Sequence, residues 1–385
     1  MMGWRTRAAQ TQQGREMFGR IHTIFVAKFD SISLFRTLTA VWTLLILSAA
    51  PLRALAIEPM RTGQESSLIR AAFADRSLWL LSDTGQLSAI AEASSKRVAV
   101  DLSEPVLDLC TNNGHPMVLT DAHGRAWTLR RWTGRIWSRM TVIPRKGDDL
   151  LAMTCAGGTE TVLTSSRLID VDRHGAIHAI HLSGKFHPGT ISASYDDGHD
   201  FFVGINAGEW GGGLQRIRKS TGAITSIERN TNGELCGGPL NSDCDPVTGI
   251  APEPWNPHCI SAAIGIVHMM TQGSIIEVCG DDVRLLYAKP YTSAALTSRL
   301  KGHSPRTETV AFFGLTTREG ALWAIGIDGL YRIDRNGTAT STPLPRFKKI
   351  GGIEVSFDNP ALIFVMTSAN QRHSLSGNVP MLVPR

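Results

Sequence analysis

Six side chains in one stretch of this 385-residue sequence could do chemistry together: Glu209, Trp210, Asp243, Asp245, Trp255 and His258. Two indoles can wall an apolar ligand, and a carboxylate such as Glu209 can fix its polar end. The same acids, Glu209 with Asp243 or Asp245, could instead serve as a working carboxylate pair. A third chemistry is metal binding. Asn241, Asp243 and Asp245 alternate like oxygen ligands for Ca²⁺, although the run lacks the glycine and distal glutamate of an EF-hand loop. The segment carrying most of these residues, 230–257 (NTNGELCGGPLNSDCDPVTGIAPEPWNP), is rich in Gly, Pro, Asn and Asp. It reads as an irregular insertion, which in a compact domain is either functional or merely structural cover. All three readings stay open on sequence.

Other residues offer less. His174 and His178 have the i, i+4 spacing of a helical metal pair, but Gly175 marks a turn and the segment reads as a strand, which separates them. His199-Asp200 beside Asp196-Asp197 could pair base with acid, yet a polar approach to a hairpin accounts for them. G-x-S-x-G, phosphate-loop and H-E-x-x-H motifs are missing from the sequence. The enzyme question is left open, with the missing motifs weighing against catalysis.

The six cysteines are Cys110, Cys155, Cys236, Cys244, Cys259 and Cys279. An even number in an exported chain fits disulfides. Spacing favours Cys236–Cys244 within the insertion and Cys259–Cys279, 20 residues apart. Cys110 and Cys155 end equivalent apolar runs one repeat apart, and either pair across neighbouring strands or stay as thiols. No C-x-x-C occurs, which argues against a zinc site.

Charge excludes one class of partner. The formal net charge of +5 belongs entirely to residues 1–56, and the remainder carries equal numbers of each sign. No basic field is left for nucleic acid. Residues 1–56 have the layout of an export leader: basic residues, an apolar run at 38–50 and Ala54-Leu55-Ala56 as a cleavage site after Ala56. The run is shorter than the roughly 20 residues that span a bilayer, so membrane attachment is expected only if the leader is uncleaved. The expected location is periplasmic or secreted, and the expected state a monomer.

The element that must position these residues is a repeat. ALWAIGIDGLYRIDRNG (321–337) is an apolar strand, a turn at Asp328-Gly329, a second strand, and an Asn-Gly turn. Six echoes of this hairpin occur, at 77–90, 115–129, 160–172, 199–217, 265–278 and 360–375. Four of the six spacings between their turn residues fall near the ~40–45 residues of a four-stranded blade. Each hairpin follows another short apolar run, for the fifth Cys259–Ala263. Strand, hairpin, strand, repeated in this way, predicts an all-β β-propeller over 57–385, with seven blades and six or eight as alternatives.

On Leu322, Trp323, Gly329, Leu330, Arg332 and Asp334, and partly on Leu78-Trp79 with Gly85, the chain resembles the repeats of the two-component regulator propeller family. That resemblance implies an extracytoplasmic propeller; free-standing exported bacterial propellers of unknown function are the nearer analogue. Propellers commonly use loops at one mouth of the channel. The expected function is therefore a binding module for a protein or small ligand at the mouth bearing the stapled insertion, needing no cofactor unless Ca²⁺ occupies the acidic run. The alternative is a propeller enzyme of lyase, lactonase or glycosidase type using acids at the same mouth, with or without a divalent metal.

Overall fold

The structure is a computed structural model. It describes residues 68–92, 96–156, 158–229, 236–267, 271–291 and 308–343, and the backbone of 353–356, 362–367 and 381–384. The chain divides into two compact units, Met1–Met60 and Arg61–Arg385. The leader, its 38–50 run and the Ala56 site lie outside the described residues, as does most of the loop 291–306. Among the described residues no helix is long and apolar enough to cross a membrane.

The second unit is an all-β propeller. Blade 1 is β1 (Leu68–Ala74), β2 (Ser77–Ser82), β3 (Leu87–Ala91) and β4 (Arg97–Val100). Blade 2 is β5 (Val106–Asn112), β6 (His115–Ala122), β7 (Ala126–Trp132) and β8 (Trp137–Pro144). Blade 3 is β9 (Leu150–Ala156), β10 (Thr159–Thr164), β11 (Arg167–Val171) and β12 (Ile177–His181). Blade 4 is β13 (Thr190–Asp196), β14 (Asp200–Asn206), β15 (Gly212–Arg218) and β16 (Ala223–Ile227). Blade 5 is β17 (Val247–Pro252), β18 (Cys259–Val267), β19 (Thr271–Cys279) and β20 (Asp282–Tyr287). Blade 6 is β21 (Phe312–Arg318), β22 (Ala321–Gly326), β23 (Gly329–Ile333) and β24 (Ala339–Pro343).

These are six complete four-stranded blades, where the repeat pattern predicted seven. The seventh repeat forms a three-stranded sheet of β25 (Ile353–Ser356), β26 (Leu362–Thr367) and β27 (Met381–Pro384). Its sequence between the second and third strands, SANQRHSLSGNVP (368–380), is polar and contains Gly and Pro, and lies outside the described residues. First strands of successive blades lie side by side, and β25 stands next to both β21 and β1.

The repeat has a structural signature finer than its sequence. In each complete blade the first two strands pair antiparallel with a bulge close to the entry of the first strand. A bulge bends the strand and increases its twist, which suits a strand entering a crowded centre. Apolar residues on both faces of the middle strands fill the spaces between blades. Leu109 and Val118 of blade 2 pack with Trp79 and Leu81 of blade 1, and Trp79 meets Trp132 and Trp137 edge-on at 5.5 and 5.3 Å. In the 321–337 hairpin Leu322, Ala324 and Ile325 are buried, and half-buried Trp323 packs against the same cluster.

Blade 5 corrects the boundaries of the insertion. Residues 247–252, inside the stretch read as irregular, are the first strand of the blade, and Cys259–Ala263 belongs to the second. Small residues disguise this strand. A Cβ on Gly249 would lie 2.6 Å from the Leu315 nitrogen of the next blade, so the approach of β21 excludes the larger apolar residues that mark the other first strands.

Candidate functional site

The direction of β17 settles which of the six candidate residues share a place. Asp245 precedes the strand, whereas Trp255 and His258 follow it. Six extended residues span roughly 20 Å at about 3.3 Å each, so the two groups lie at opposite ends of blade 5. They do not converge on one mouth.

At the entry end, the loop before β17 is built onto blade 4. The Gly212 N–H donates to Ser242 O (2.8 Å) and the Gly213 N–H to Asp245 O (2.9 Å). Gly211 sits at φ 78° against this loop, and a Cβ there would collide with the Ser242 and Asp243 backbone. That contact explains the EWGGGL run: glycine allows both the turn and the close approach. The 3-10 turn Gly208–Trp210 projects from the same hairpin. Its Trp210 is 78% exposed, and Glu209 is exposed beside it. The Cys236–Cys244 disulfide closes the loop, and the Arg229 N–H donates to Leu240 O (2.9 Å) to fold it back. Cys259–Cys279 joins directly opposed residues of β18 and β19, and Cys110–Cys155 links the first strands of blades 2 and 3.

Within the loop, the acidic run forms a turn. The Asp243 N–H donates to Asn241 Oδ1 (2.9 Å), and the Asn241 N–H to Asp245 Oδ2 (2.8 Å). Two of the oxygens considered for Ca²⁺ are thus engaged with backbone donors, while the Asp243 side chain is exposed.

Asp245 occupies a position that recurs around the propeller. Glu104, Asp148 and Asp245 each stand two residues before the opening residue of a first strand: Val106, Leu150 and Val247. Those opening residues pair with Thr120, Thr164 and Ile264 respectively. In blade 2, Thr120 Oγ1 donates to Glu104 Oε2 (2.5 Å) and Arg130 Nη2 does so at 3.0 Å. The Thr120 hydrogen bond, with Arg130, holds Glu104 below the usual glutamate range. In blade 3, Asp148 accepts from Ser166 (2.6 Å), Arg167 Nε (2.6 Å) and Thr164 (2.9 Å). Burial pushes Asp148 up, and these donors together outweigh it, so its pKa is lowered.

Blade 5 keeps the acid and loses the donors. Ile264 replaces the threonine, and among the described residues the Asp245 carboxylate accepts only the Asn241 N–H. Asp245 is 7% exposed, and burial pushes it up to about 6 against that single lowering hydrogen bond. It lines a cavity of about 490 Å³ with Cys236, Pro239, Ile264, Thr271 and Thr309. Lys289, one residue beyond the cavity wall at Ala288, is committed elsewhere: its Nζ donates to Asp328 Oδ2 (3.0 Å) and to the Tyr331 hydroxyl (2.8 Å). A larger cavity of about 810 Å³ lies between blades 1 and 2, but of the two acids on its wall Asp101 is exposed and Glu104 is ion-paired with Arg130.

The opposite end of blade 5 holds acids that sequence reasoning missed. Glu253 is 3% exposed, and both carboxylate oxygens are buried without a hydrogen-bond partner. The Trp255 indole N–H and the Ser261 hydroxyl lie near it, but neither reaches hydrogen-bond geometry and both are buried and unpartnered. Burial raises Glu253 to about 7, opposed chiefly by the charge of Arg284. Glu277, also buried, is ion-paired with Arg284. His258 is exposed, its N–H donating to Asn256 Oδ1 at 3.3 Å. The His199-Asp200 pair resolves into ordinary ion pairing, with Arg218 Nε 3.0 Å from Asp200.

The recurrent acid was visible in the sequence as Glu104-Pro105-Val106 echoed by Asp245-Pro246-Val247. Glu253 and Glu277 gave no comparable signal, because their meeting depends on the register of β17, β18 and β19.

No known protein family matches this sequence, and no curated protein matches it. Solved structures are similar in fold. The computationally designed Ika8 protein is 12% identical with a TM-score of 0.47, covering 80% of this chain and 82% of its own. Kluyveromyces lactis Hsv2 is 8% identical with a TM-score of 0.44, covering 83% of this chain and 98% of its own. The extracellular domain of the two-component-system protein BT4673 from B. thetaiotaomicron is 14% identical with a TM-score of 0.46, covering 79% of this chain and 37% of its own.

Proposed function

We propose that this propeller is an exported binding module, periplasmic or secreted, that takes a small ligand or a protein side chain in the cavity beside the Cys236–Cys244 loop. The observation that carries this reading is Asp245, a buried acid on a cavity wall that, among the described residues, lacks the hydroxyl and guanidinium that serve its counterparts. An acid in that setting is matched by a donor brought from outside, and a cationic amine or guanidine supplies the charge as well as the hydrogen bond. The cavity lies within the size range of small-molecule pockets. Exposed Trp210, on the hairpin that packs against the same loop, offers an apolar or cation–π contact to a bound partner. Three disulfides support an oxidising compartment.

The test is a ligand-observed NMR screen of small amines and guanidines against the wild type and Asp245→Asn, at pH 8 and pH 5. Binding at pH 8 should weaken at pH 5 as Asp245 protonates. The variant should bind about tenfold or more weakly, the size expected for a charged hydrogen bond. Equal binding by the two proteins would place the ligand elsewhere.

A second reading follows from the same acid. A carboxyl group that titrates near 6 suits proton transfer, so a propeller lyase, lactonase or glycosidase remains the alternative. Turnover of a lactone, glycan or polyuronide that disappears in Asp245→Asn would favour it over binding alone.

A further inference from the structure

The far end of blade 5 brings four metal-ligating side chains together. One ligand atom each from Glu253, Glu277, Cys259 and Cys279 lies within 4.8 Å of all the others. The strands explain the convergence: Cys259 opposes Cys279, Ser261 opposes Glu277, and the Glu253 N–H donates to Cys259 O at 3.0 Å. An acidic pair alone would mean little. Here Glu253 is buried with both oxygens unpartnered, and the fully buried Ser261 hydroxyl beside it is unpartnered too. Buried polar atoms without partners are rare and costly, and the donors near Glu253, the Ser261 hydroxyl and the Trp255 indole N–H, do not reach it.

We propose that this cluster is a redox-gated site for a thiophilic divalent cation of the zinc class. With the disulfide closed, the sulfurs are poor ligands and the site holds no metal. A dithiol delivers two electrons and two protons: the Sγ–Sγ bond breaks, two thiols form, and the reductant leaves as its disulfide. A phosphine does the same with one water molecule, which supplies the oxygen of the phosphine oxide and the two thiol protons. A bound cation then takes both sulfurs as thiolates and releases their two protons, with Glu253 and Glu277 completing a four-ligand set of two sulfurs and two oxygens. Sulfurs around zinc stand about 3.8 Å apart, given Zn–S bonds of about 2.3 Å in a tetrahedron. Facing residues whose Cα atoms are 4.4 Å apart can reach this by side-chain rotation.

Two neighbours fit the assignment. Asn256 Nδ2 donates to Cys259 Sγ at 2.8 Å and reaches Cys279 Sγ at 3.8 Å, a contact that steadies anionic sulfur. Arg284 is the resident cation on Glu277, but its side chain is 59% exposed and can swing into solvent when a metal arrives. Its ion pair therefore guards the oxidised state without blocking the reduced one.

The experiment uses the full chain, reduced with a phosphine, desalted anaerobically and titrated with Cd²⁺ while sulfur-to-metal charge-transfer absorption is recorded. Because all three bridges are reduced together, the decisive comparison is with Cys259→Ser/Cys279→Ser, Glu253→Gln and Glu277→Gln. The expected result is one strong equivalent in the reduced wild type, none in the oxidised protein, loss of that equivalent in the double serine variant, and at least tenfold weaker binding in each glutamine variant. The glutamine variants keep every cysteine, so they remain informative if the serine variant fails to fold. Unchanged Cd²⁺ affinity in both glutamine variants would overturn the proposal. So would an unchanged charge-transfer band in the double serine variant, or loss of the native far-UV spectrum on reduction of the wild type, since a built site must survive its own gating step.

Discussion

Blades 3 and 5 place an aspartate at the same point and treat it in opposite ways. Asp148 is surrounded by Thr164, Ser166 and Arg167, and its pKa is lowered. Asp245 faces Ile264 and one backbone N–H, and its pKa is raised. Backbone register and bulge are shared, so the difference lies in side chains alone. A carboxylate that tethers the strand entry is architecture. The same carboxylate without its tethers is a vacancy in the bonding scheme, and it borders a cavity.

The largest effect should come from breaking the satisfied site. Asp148→Asn leaves Arg167 buried with no countercharge, since both side chains are under 10% exposed. Removing one partner of such a pair costs about 3–5 kcal/mol. Urea unfolding at pH 7 should show that loss. The pair's contribution is intact above the ordinary aspartate range and fades as the pH falls through the lowered native value, so the difference between variant and wild type should shrink in acid.

The mirror experiment should reverse the sign. Asp245 has a native pKa of about 6, above its unfolded value. The folded state therefore binds the proton more tightly, and stability falls as the pH rises from about 4 to above 6. Asp245→Asn removes that penalty while keeping an oxygen for the Asn241 N–H. Stabilisation on the order of 2–3 kcal/mol is expected at pH 8, declining to nothing near pH 4. A thermal melt series across pH decides it; a variant less stable at pH 8 would mean that Asp245 is satisfied after all. Gain of stability on loss of an acid, together with loss of binding, separates a site residue from a strut.

The scaffold beneath this contrast is legible in the sequence, and the limits of that reading are physical. Apolar strands flanking Asp, Asn or Ser turns carry their own signal, which is why blades 1, 2, 3, 4 and 6 could be located. Blade 5 was misaligned because Gly249 and Ala251, needed for close packing against β21, erase the apolar signature of its first strand. That error placed Trp255 and His258 at the mouth with Asp245. The missing side-chain donor at Asp245 was hidden for another reason: it depends on a residue nineteen positions away, Ile264, brought opposite the strand entry by register. Glu253 and Glu277 were invisible on the same grounds.

A smaller effect is expected in blade 2, where the satisfied acid is less deeply enclosed. Glu104 and Arg130 retain side-chain exposures of 17% and 20%. Glu104→Gln can still accept from Thr120, so only the charge is lost and a cost of about 1–2 kcal/mol follows. Its melting temperature should fall less than that of Asp148→Asn; an equal or larger fall would break the ranking by burial.

The smallest net change in stability, and the sharpest test, is to give blade 5 what blades 2 and 3 have. Ile264→Thr places a hydroxyl where Thr120 and Thr164 carry theirs, opposite the residue that opens the first strand. The substitution removes buried apolar surface from the cluster around Ile250, Ile260 and Ile276, a loss of about 1–2 kcal/mol. The new donor to the Asp245 carboxylate offsets about 1 kcal/mol of that at neutral pH. The native pKa of Asp245, read by NMR, should drop toward the ordinary aspartate range, because a hydrogen bond to the charged form favours ionisation. Amine binding should weaken although the negative charge is now more fully developed, since the acid has an internal donor. If binding instead strengthens in step with the charge, electrostatic attraction alone governs the site, and the missing threonine is incidental.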